Sequence, residues 1–215
     1  MTMKPFDDSA SKIAEYLLQI KAIKLQPKEP FTWASGWKSP IYCDNRKTLS
    51  YPQIRTFIRQ QFTSLIHDKF GTPDFIAGVA TGGIAIGALV AQELGLPFVY
   101  VRSEAKKHGL SNTIEGDIEA GNSVVVIEDL ISTASSSIKA IEALKEKGCN
   151  VKGMVSIFNY GFDLATQKLK EINCVNHSLC DYHALIDVAV KHEYINKNDL
   201  ESLRKWRENP SKWKP

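Results

Sequence analysis

Apolar residues recur along this chain at two spacings. Ile13, Tyr16, Leu17 and Ile20 fall at i, i+3, i+4 and i+7, which predicts a helix with one buried face, and Ser9 stands where a cap belongs. Pro27, Pro30, Trp33, Gly36, Trp37 and Pro40 then punctuate a stretch of little periodicity, in which Ile41, Tyr42 and Cys43 form a short strand or an extended loop. Ser50 and Pro52 open a second helix, with Ile54, Phe57, Ile58, Leu65 and Ile66 on one face. From residue 75 the spacing changes. Short apolar runs at 75–79, 98–102, 123–127 and 151–158 read as strands. Between them lie a helix at 84–94, stopped by Gly95 and Pro97, and one at 136–147, closed by Gly148. Strands alternating with helices of this length predict right-handed crossovers and a parallel sheet. The segment from Asp181 onward reads as helical, with Asn196 a cap ahead of Leu200, Leu203 and Trp206. The expected fold class is α/β: a Rossmann-like parallel sheet flanked by helices, with a small N-terminal hood lobe. As one domain it divides into a lobe over about 1–48, a core over about 49–190 and a C-terminal helix over about 191–215.

Composition narrows the function. A chain of 215 residues with 43% apolar and 24% charged residues can bury one sizeable core. Lys and Arg exceed Asp and Glu by 27 to 24, which leaves no basic stripe for nucleic acid and suits a small anionic ligand better. The first eight residues lack an apolar signal segment, and no run of about eighteen apolar residues occurs, so the expectation is a cytoplasmic protein with no membrane partner. Cys43, Cys149, Cys174 and Cys180 show no Cys-x-x-Cys spacing, which argues against zinc and against a disulfide framework. His67, His177, His183 and His192 have no ligand spacing either and read as structural or exposed.

In parallel sheets of this kind ligands bind beyond the carboxyl ends of the strands, which directs attention to 80–83, 103–116 and 128–136. The apolar run 124–127 leads into Glu128 and Asp129, then Leu130 and Ile131, then Ser132, Thr133, Ala134, Ser135 and Ser136 at the start of a helix. A phosphate monoester needs backbone N–H groups at a helix N-terminus, where the dipole favours an anion and short hydroxyl side chains add donors. Adjacent carboxylates accept from a vicinal diol and can help hold magnesium directly or through water. Glu128 and Asp129 therefore suit the 2′ and 3′ hydroxyls of a ribose. The competing reading is a buried strand whose acids cap the next helix. At 80–83, Ala80, Thr81, Gly82 and Gly83 form a nest of small residues that can face an oxygen-rich ligand. No P-loop is present, since Ile84 and Ala85 follow Gly83, and the spacing of Gly82, Gly83 and Gly87 does not meet the dinucleotide fingerprint.

The segment 124–136 resembles the motif by which type I phosphoribosyltransferases bind 5-phosphoribosyl 1-diphosphate (PRPP), with Ala134 and Ser135 where many members have Gly. The resemblance covers nearly the whole chain. It implies that Thr81, Gly82, Glu128, Asp129, Leu130, Ile131, Ser132, Thr133, Ala134, Ser135 and Ser136 bind PRPP. The basic stretch Arg102, Ser103, Glu104, Ala105, Lys106, Lys107, His108 is similar to the catalytic loop of orotate phosphoribosyltransferases. By that likeness Arg102, Lys106, Lys107 and His108 contact the diphosphate, with Ser103 where some members have Lys. Lys106, His108 and Asp129 are then the catalytic residues, Lys106 being the main catalytic cation. A cation approaching the leaving group stabilises the charge that develops there, and His108, with an ordinary pKa near 6.5, is suited to proton transfer.

The segment from Thr32 through Ser35, Gly36, Lys38, Ser39 and Pro40 to Asp44 resembles the Ser-Gly-x-Lys-Ser-Pro segment of the same family and selects the base. Lys38 and Tyr42, with Ser132, are the implied orotate contacts; Ala34 stands where some members have a binding Lys, and 158–160 where some have an Arg. The resemblance implies transfer of phosphoribose from PRPP to orotate in UMP biosynthesis. It implies magnesium carried mainly on the PRPP, with no protein ligand binding it directly, and a homodimer in which the 103–116 loop acts across the interface. The alternatives are a phosphoribosyltransferase for another base and a non-catalytic PRPP-sensing regulator, although no helix-turn-helix or basic arm is evident.

Overall fold

The computed structural model describes residues 5–33, 36–102 and 113–214. The chain opens with α1 (Pro5–Gln19), β1 (Ile23–Leu25), β2 (Phe31–Thr32), β3 (Lys38–Ser39), β4 (Ile41–Cys43) and a 3-10 turn over Asn45–Ser50. The sheet region follows: α2 (Pro52–Phe70), β5 (Phe75–Val79), α3 (Gly82–Leu94), β6 (Phe98–Val101), β7 (Ile114–Glu115), β8 (Ser123–Ile131), α4 (Ser135–Glu146), β9 (Asn150–Asn159), α5 (Asp163–Glu171) and β10 (Asn176–Asp181). It closes with α6 (Tyr182–Lys191), a 3-10 turn over Lys197–Asp199 and α7 (Leu200–Glu208).

Strand alternation explains why the core strands read as continuous apolar runs. In a sheet covered on both faces, every residue meets a helix layer. Ile76, Val125, Ile127, Val155 and Ile157 point into one core cluster, shared with α1, α2, α3, α6 and α7. Their neighbours Ala77, Val79, Val99, Val101, Val124, Val126 and Met154 point into the other, covered by α4 and α5. The sheet order is β10-β9-β8-β5-β6-β7, parallel except for β7, which pairs antiparallel with β6. From β5 the chain moves one way through α3 to β6, and from β8 it moves the other way through α4 and α5 to β10. The order therefore reverses between β5 and β8, and a crevice opens beyond the carboxyl ends of those two strands.

Several boundaries differ from the sequence reading. Ser9 is not a cap: α1 already begins at Pro5, and the Ser9 hydroxyl donates sideways to Gln61 Oε1 on α2. The Gly-rich bend at 82–83 is the first turn of α3 rather than a separate loop. The motif strand was expected to stop at 127, but β8 runs to Ile131, because its pairing with β9 continues through Glu128 to Ser156, Leu130 to Phe158 and Ile131 to Asn159. The two acids thus lie inside a strand that outruns β5, not after its end. Strand β10 was not foreseen, and the strand expected at 98–102 ends at Val101. Asn196 does cap, with a reciprocal box to Asp199, and Gly95 closes α3 in the left-handed region at φ 66°.

The N-terminal elements do not stand apart from this core. Two short antiparallel pairs, β1 with β4 and β2 with β3, form the lobe, while α1 packs on α6 and β10. Trp33 meets the rings of Tyr160 and Trp206 at 5.5 and 5.6 Å. Tyr160 stacks on Phe162 at 5.3 Å, and burial pushes its hydroxyl well up from the ordinary range. Trp206, fully buried, donates from its indole to Lys38 O at 3.2 Å, so α7 fastens the lobe to the carboxyl edge of the sheet.

Candidate functional site

The crevice between β5 and β8 holds a cavity of about 230 Å³ lined by Ala80, Thr81, Gly82, Glu128, Asp129, Leu130 and 132–137. Ten of the residues expected at a PRPP site therefore share one concavity: Thr81, Gly82, Glu128, Asp129, Leu130, Ser132, Thr133, Ala134, Ser135 and Ser136. Ile131 differs. Its side chain is buried in the core and its carbonyl accepts from Tyr160 N at 3.0 Å, so only main chain is near the crevice.

The floor is built for close approach. The peptide between Ala80 and Thr81 is cis. A Cβ at Gly82 would lie 2.2 Å from the Asp129 carboxyl, and one at Gly83 would lie 2.3 Å from Ile127 O. Glycine at both positions is what lets the first turn of α3 rest on the end of β8.

The opposite wall is the start of α4. Ala134 takes the cap position with φ 60° and ψ 11°, a left-handed turn that glycine makes most readily, and no side chain caps the helix. The first N–H groups of a helix have no intrahelical partner, so an uncapped N-terminus on a cavity is suited to an anion. Neither acid caps α4. Glu128 Oε2 accepts from the Ser137 hydroxyl at 2.9 Å and Oε1 accepts from Asp129 N at 3.0 Å. Thr133 and Ser135 hydroxyls lie 3.2 Å apart, and both serine side chains at 135 and 136 are exposed to the cavity side.

The carboxyls of Glu128 and Asp129 also hydrogen-bond to each other. Burial, then the neighbouring Asp129 charge, pushes Glu128 well above the ordinary carboxylate range. Burial raises Asp129 too, against the downward pull of its bond to Glu128 and of the Arg46 charge. Glu128 is the more strongly raised of the two, and Asp129 is the carboxyl that faces Gly82.

Sequence reasoning missed three residues here. Asn45, buried, donates from Nδ2 to Asp129 O at 2.7 Å and so ties the lobe to the motif strand. Cys43 Sγ lies 3.2 Å from Asn45 Oδ1 and orients that amide. Ser137 fixes Glu128. Only Ser137 carried a signal, as the next hydroxyl in a run already singled out.

None of the other expected contacts among the described residues lines the cavity. Lys38 donates from Nζ to Thr32 Oγ1 at 2.9 Å, within its own hairpin. Tyr42 is 43% exposed with its ring 5.7 Å from Phe31. Arg102 pairs with Glu115 Oε1 at 3.3 Å, along the edge made by β7. Lys106, Lys107 and His108 lie outside the described residues, as do Ala34 and Ser35. Among the described residues no group of three or more His, Cys, Asp or Glu side chains could hold a metal ion. Two adjacent carboxyls still fit magnesium, which is commonly bound through one or two carboxylates together with substrate phosphates and water.

The phosphoribosyl transferase domain family matches residues 49–193, a span that contains the crevice entire. The chain belongs to that family. It is 58% identical over 200 residues to an orotate phosphoribosyltransferase of Phocaeicola vulgatus, covering 93% of this chain and 94% of that one. A crystal structure of orotate phosphoribosyltransferase from Aeropyrum pernix, 27% identical, superposes with a TM-score of 0.74 over 86% of this chain and 99% of that one. The UMP synthase of Leishmania donovani, 25% identical, gives a TM-score of 0.78 over 94% of this chain, which spans 43% of that protein's length. As a family member the chain is a phosphoribosyltransferase, built on a mainly parallel six-stranded sheet flanked by helices.

Proposed function

We propose that this chain transfers the 5-phosphoribosyl group of PRPP to orotate, giving orotidine 5′-monophosphate and diphosphate in pyrimidine biosynthesis. The observation that carries the reading is the uncapped N-terminus of α4 facing Glu128, Asp129 and Gly82 across one cavity. It combines an anion seat with a diol-binding carboxylate pair, and relatives at 49–58% identity bear the name orotate phosphoribosyltransferase.

In this reading Ser132, Thr133, Ser135 and Ser136 donate to the 5-phosphate, with Leu130, Ile131 and Ala134 contributing main chain. Asp129 and Glu128 accept from the ribose hydroxyls, and the turn into α3 at Thr81 and Gly82 receives the diphosphate. As the bond from C1 to diphosphate breaks, C1 gains positive character and the ring nitrogen of orotate forms the new bond, its N–H proton passing to solvent or to the departing diphosphate. Positioning and charge stabilisation carry most of the catalysis, without a covalent nucleophile. Arg102, Lys106, Lys107 and His108 stabilise the departing diphosphate, with His108 suited to protonate it. Glu128 and Asp129 would help hold magnesium carried on PRPP through water, and the ion would supply charge neutralisation. Ser132, Lys38 and Tyr42 are the orotate contacts. The lobe of about 1–48 covers the core of about 49–190, and the C-terminal segment of about 191–215 fastens the two. The working unit is a cytoplasmic homodimer whose 103–116 loop acts in the partner's site.

PRPP binding measured with and without magnesium tests the site. Wild type should bind PRPP, and Asp129→Asn should weaken that binding by about tenfold or more, as expected for loss of a charge-assisted hydrogen bond. Equal affinity in the two proteins would contradict the assignment. Wild type that binds PRPP tightly but turns over no base would be a sensor instead.

A further inference from the structure

Orotate carries a carboxylate, while Glu128 and Asp129 line the crevice and Asp44 adjoins the Asn45 that is bonded to Asp129 O. An anionic base needs a cation there. Most described candidates hold a protein partner on the terminal nitrogens that a ligand would have to displace. Lys38 Nζ is bonded to Thr32, Lys47 Nζ to Lys21 O, Arg55 Nη1 to Leu49 O and Arg102 Nη1 to Glu115. Arg46 is different. Its Nε donates to Asp44 Oδ1 at 2.7 Å, while its two terminal nitrogens have no hydrogen-bond partner among the described residues and its side chain is 59% exposed.

The position of Arg46 is fixed by its neighbour. Asn45 is bonded to Asp129 O at 2.7 Å, and Thr48 Oγ1 donates to Asn45 O at 2.7 Å, so the chain at 45–46 is pinned against the motif strand. Arg46 and Asp129 are close enough for each to shift the other's titration, and Tyr42, the exposed aromatic of the lobe, lies within the same field. Asp44, held below the ordinary carboxylate range chiefly by its hydrogen bond from Arg46, keeps one edge of the guanidinium occupied. The free edge has the two parallel N–H donors that match a carboxylate.

We propose that Arg46 is the specificity residue that receives the carboxylate of the acceptor base, with Asp44 setting the plane of its guanidinium and Asn45 setting its distance from Asp129. The inference rests on the orotate reading above. Tyr42 and Phe31 then flank the base ring while Arg46 takes its charged edge.

The test is a pair of measurements on wild type, Arg46→Ala and Arg46→Lys. In steady-state kinetics, Arg46→Ala should raise the KM for orotate about ten- to a hundredfold, the range for one charge-assisted bond, and leave the KM for PRPP within about twofold. Arg46→Lys should recover part of the loss, since it restores charge without the fork. In calorimetry, orotidine 5′-monophosphate should bind wild type more tightly than UMP, which lacks the carboxylate, and Arg46→Ala should remove that preference. Because an exposed ion pair adds little to stability, the variants should melt as wild type does. A preference for orotidine 5′-monophosphate that survives in Arg46→Ala, or an equal rise in both KM values, would overturn the proposal and leave Arg46 as a structural partner of Asp44. No orotate turnover by wild type would instead overturn the functional reading on which it rests.

Discussion

Gly82 and Gly83 are adjacent, yet the structure gives them different burdens. A methyl at Gly82 meets the Asp129 carboxyl, which can rotate away, whereas a methyl at Gly83 meets the Ile127 carbonyl, which cannot. Gly82→Ala should therefore cost activity: kcat/KM for PRPP is expected to fall at least tenfold with little change in melting temperature. Gly83→Ala should cost stability, about 1–3 kcal/mol by overpacking, or roughly 2–12 °C for a chain of this size. Thermal melts beside steady-state kinetics separate the two, and matching losses in both variants would contradict the geometry. Glu128 makes a pH prediction. Its folded pKa lies above the ordinary 4.5, so its stabilising contribution is full below that value and is lost as pH rises. Glu128→Gln should melt higher than wild type at pH 8, with the advantage fading toward pH 4; an advantage that grows with acidity would refute the upward shift of Glu128. At this scale the acids and hydroxyls of 128–136 were legible, because their chemistry shows in residue type. Asn45 was not, since it binds a main-chain carbonyl 84 residues away and any sequence satisfies that acceptor.

Among the elements, α4 and α7 do the positioning. The start of α4 is open because Ala134 turns the chain in the left-handed region and no side chain covers the first N–H groups. Helix α7 acts at a distance: Trp206 fills the aromatic cluster and holds Lys38 O, so it links the lobe to the sheet. Trp206→Phe loses the indole hydrogen bond and some volume, and should destabilise by about 2 kcal/mol, lowering the melting temperature by roughly 4–8 °C. An unchanged melt would mean that the lobe is held by other contacts. The sequence made helices with strong periodicity readable, and the buried strands too, because both faces of the sheet are covered. It hid β10, whose residues Asn176, His177 and Ser178 are only half-buried at the sheet edge, so no apolar run marks it. It also hid the last four residues of β8, where pairing with β9 carries polar side chains past the apolar run.

For the whole molecule, the reversal of strand order between β5 and β8 fixes where a ligand can sit, and the family match spans that same region. The proposed homodimer, in which the 103–116 loop acts in the partner's site, makes its own prediction. Lys106→Ala and Asp129→Asn, each nearly inactive alone, should recover about a quarter of wild-type activity when mixed after subunit exchange, since each mixed dimer then has one intact site. No recovery, with exchange verified, would put the loop in its own subunit's site. The central claim is tested most directly by following the absorbance of orotate with purified protein, PRPP and magnesium, with adenine, hypoxanthine and uracil assayed in parallel. The structure and its relatives predict that orotate alone is consumed; consumption of a purine, or of uracil in preference to orotate, would contradict the account.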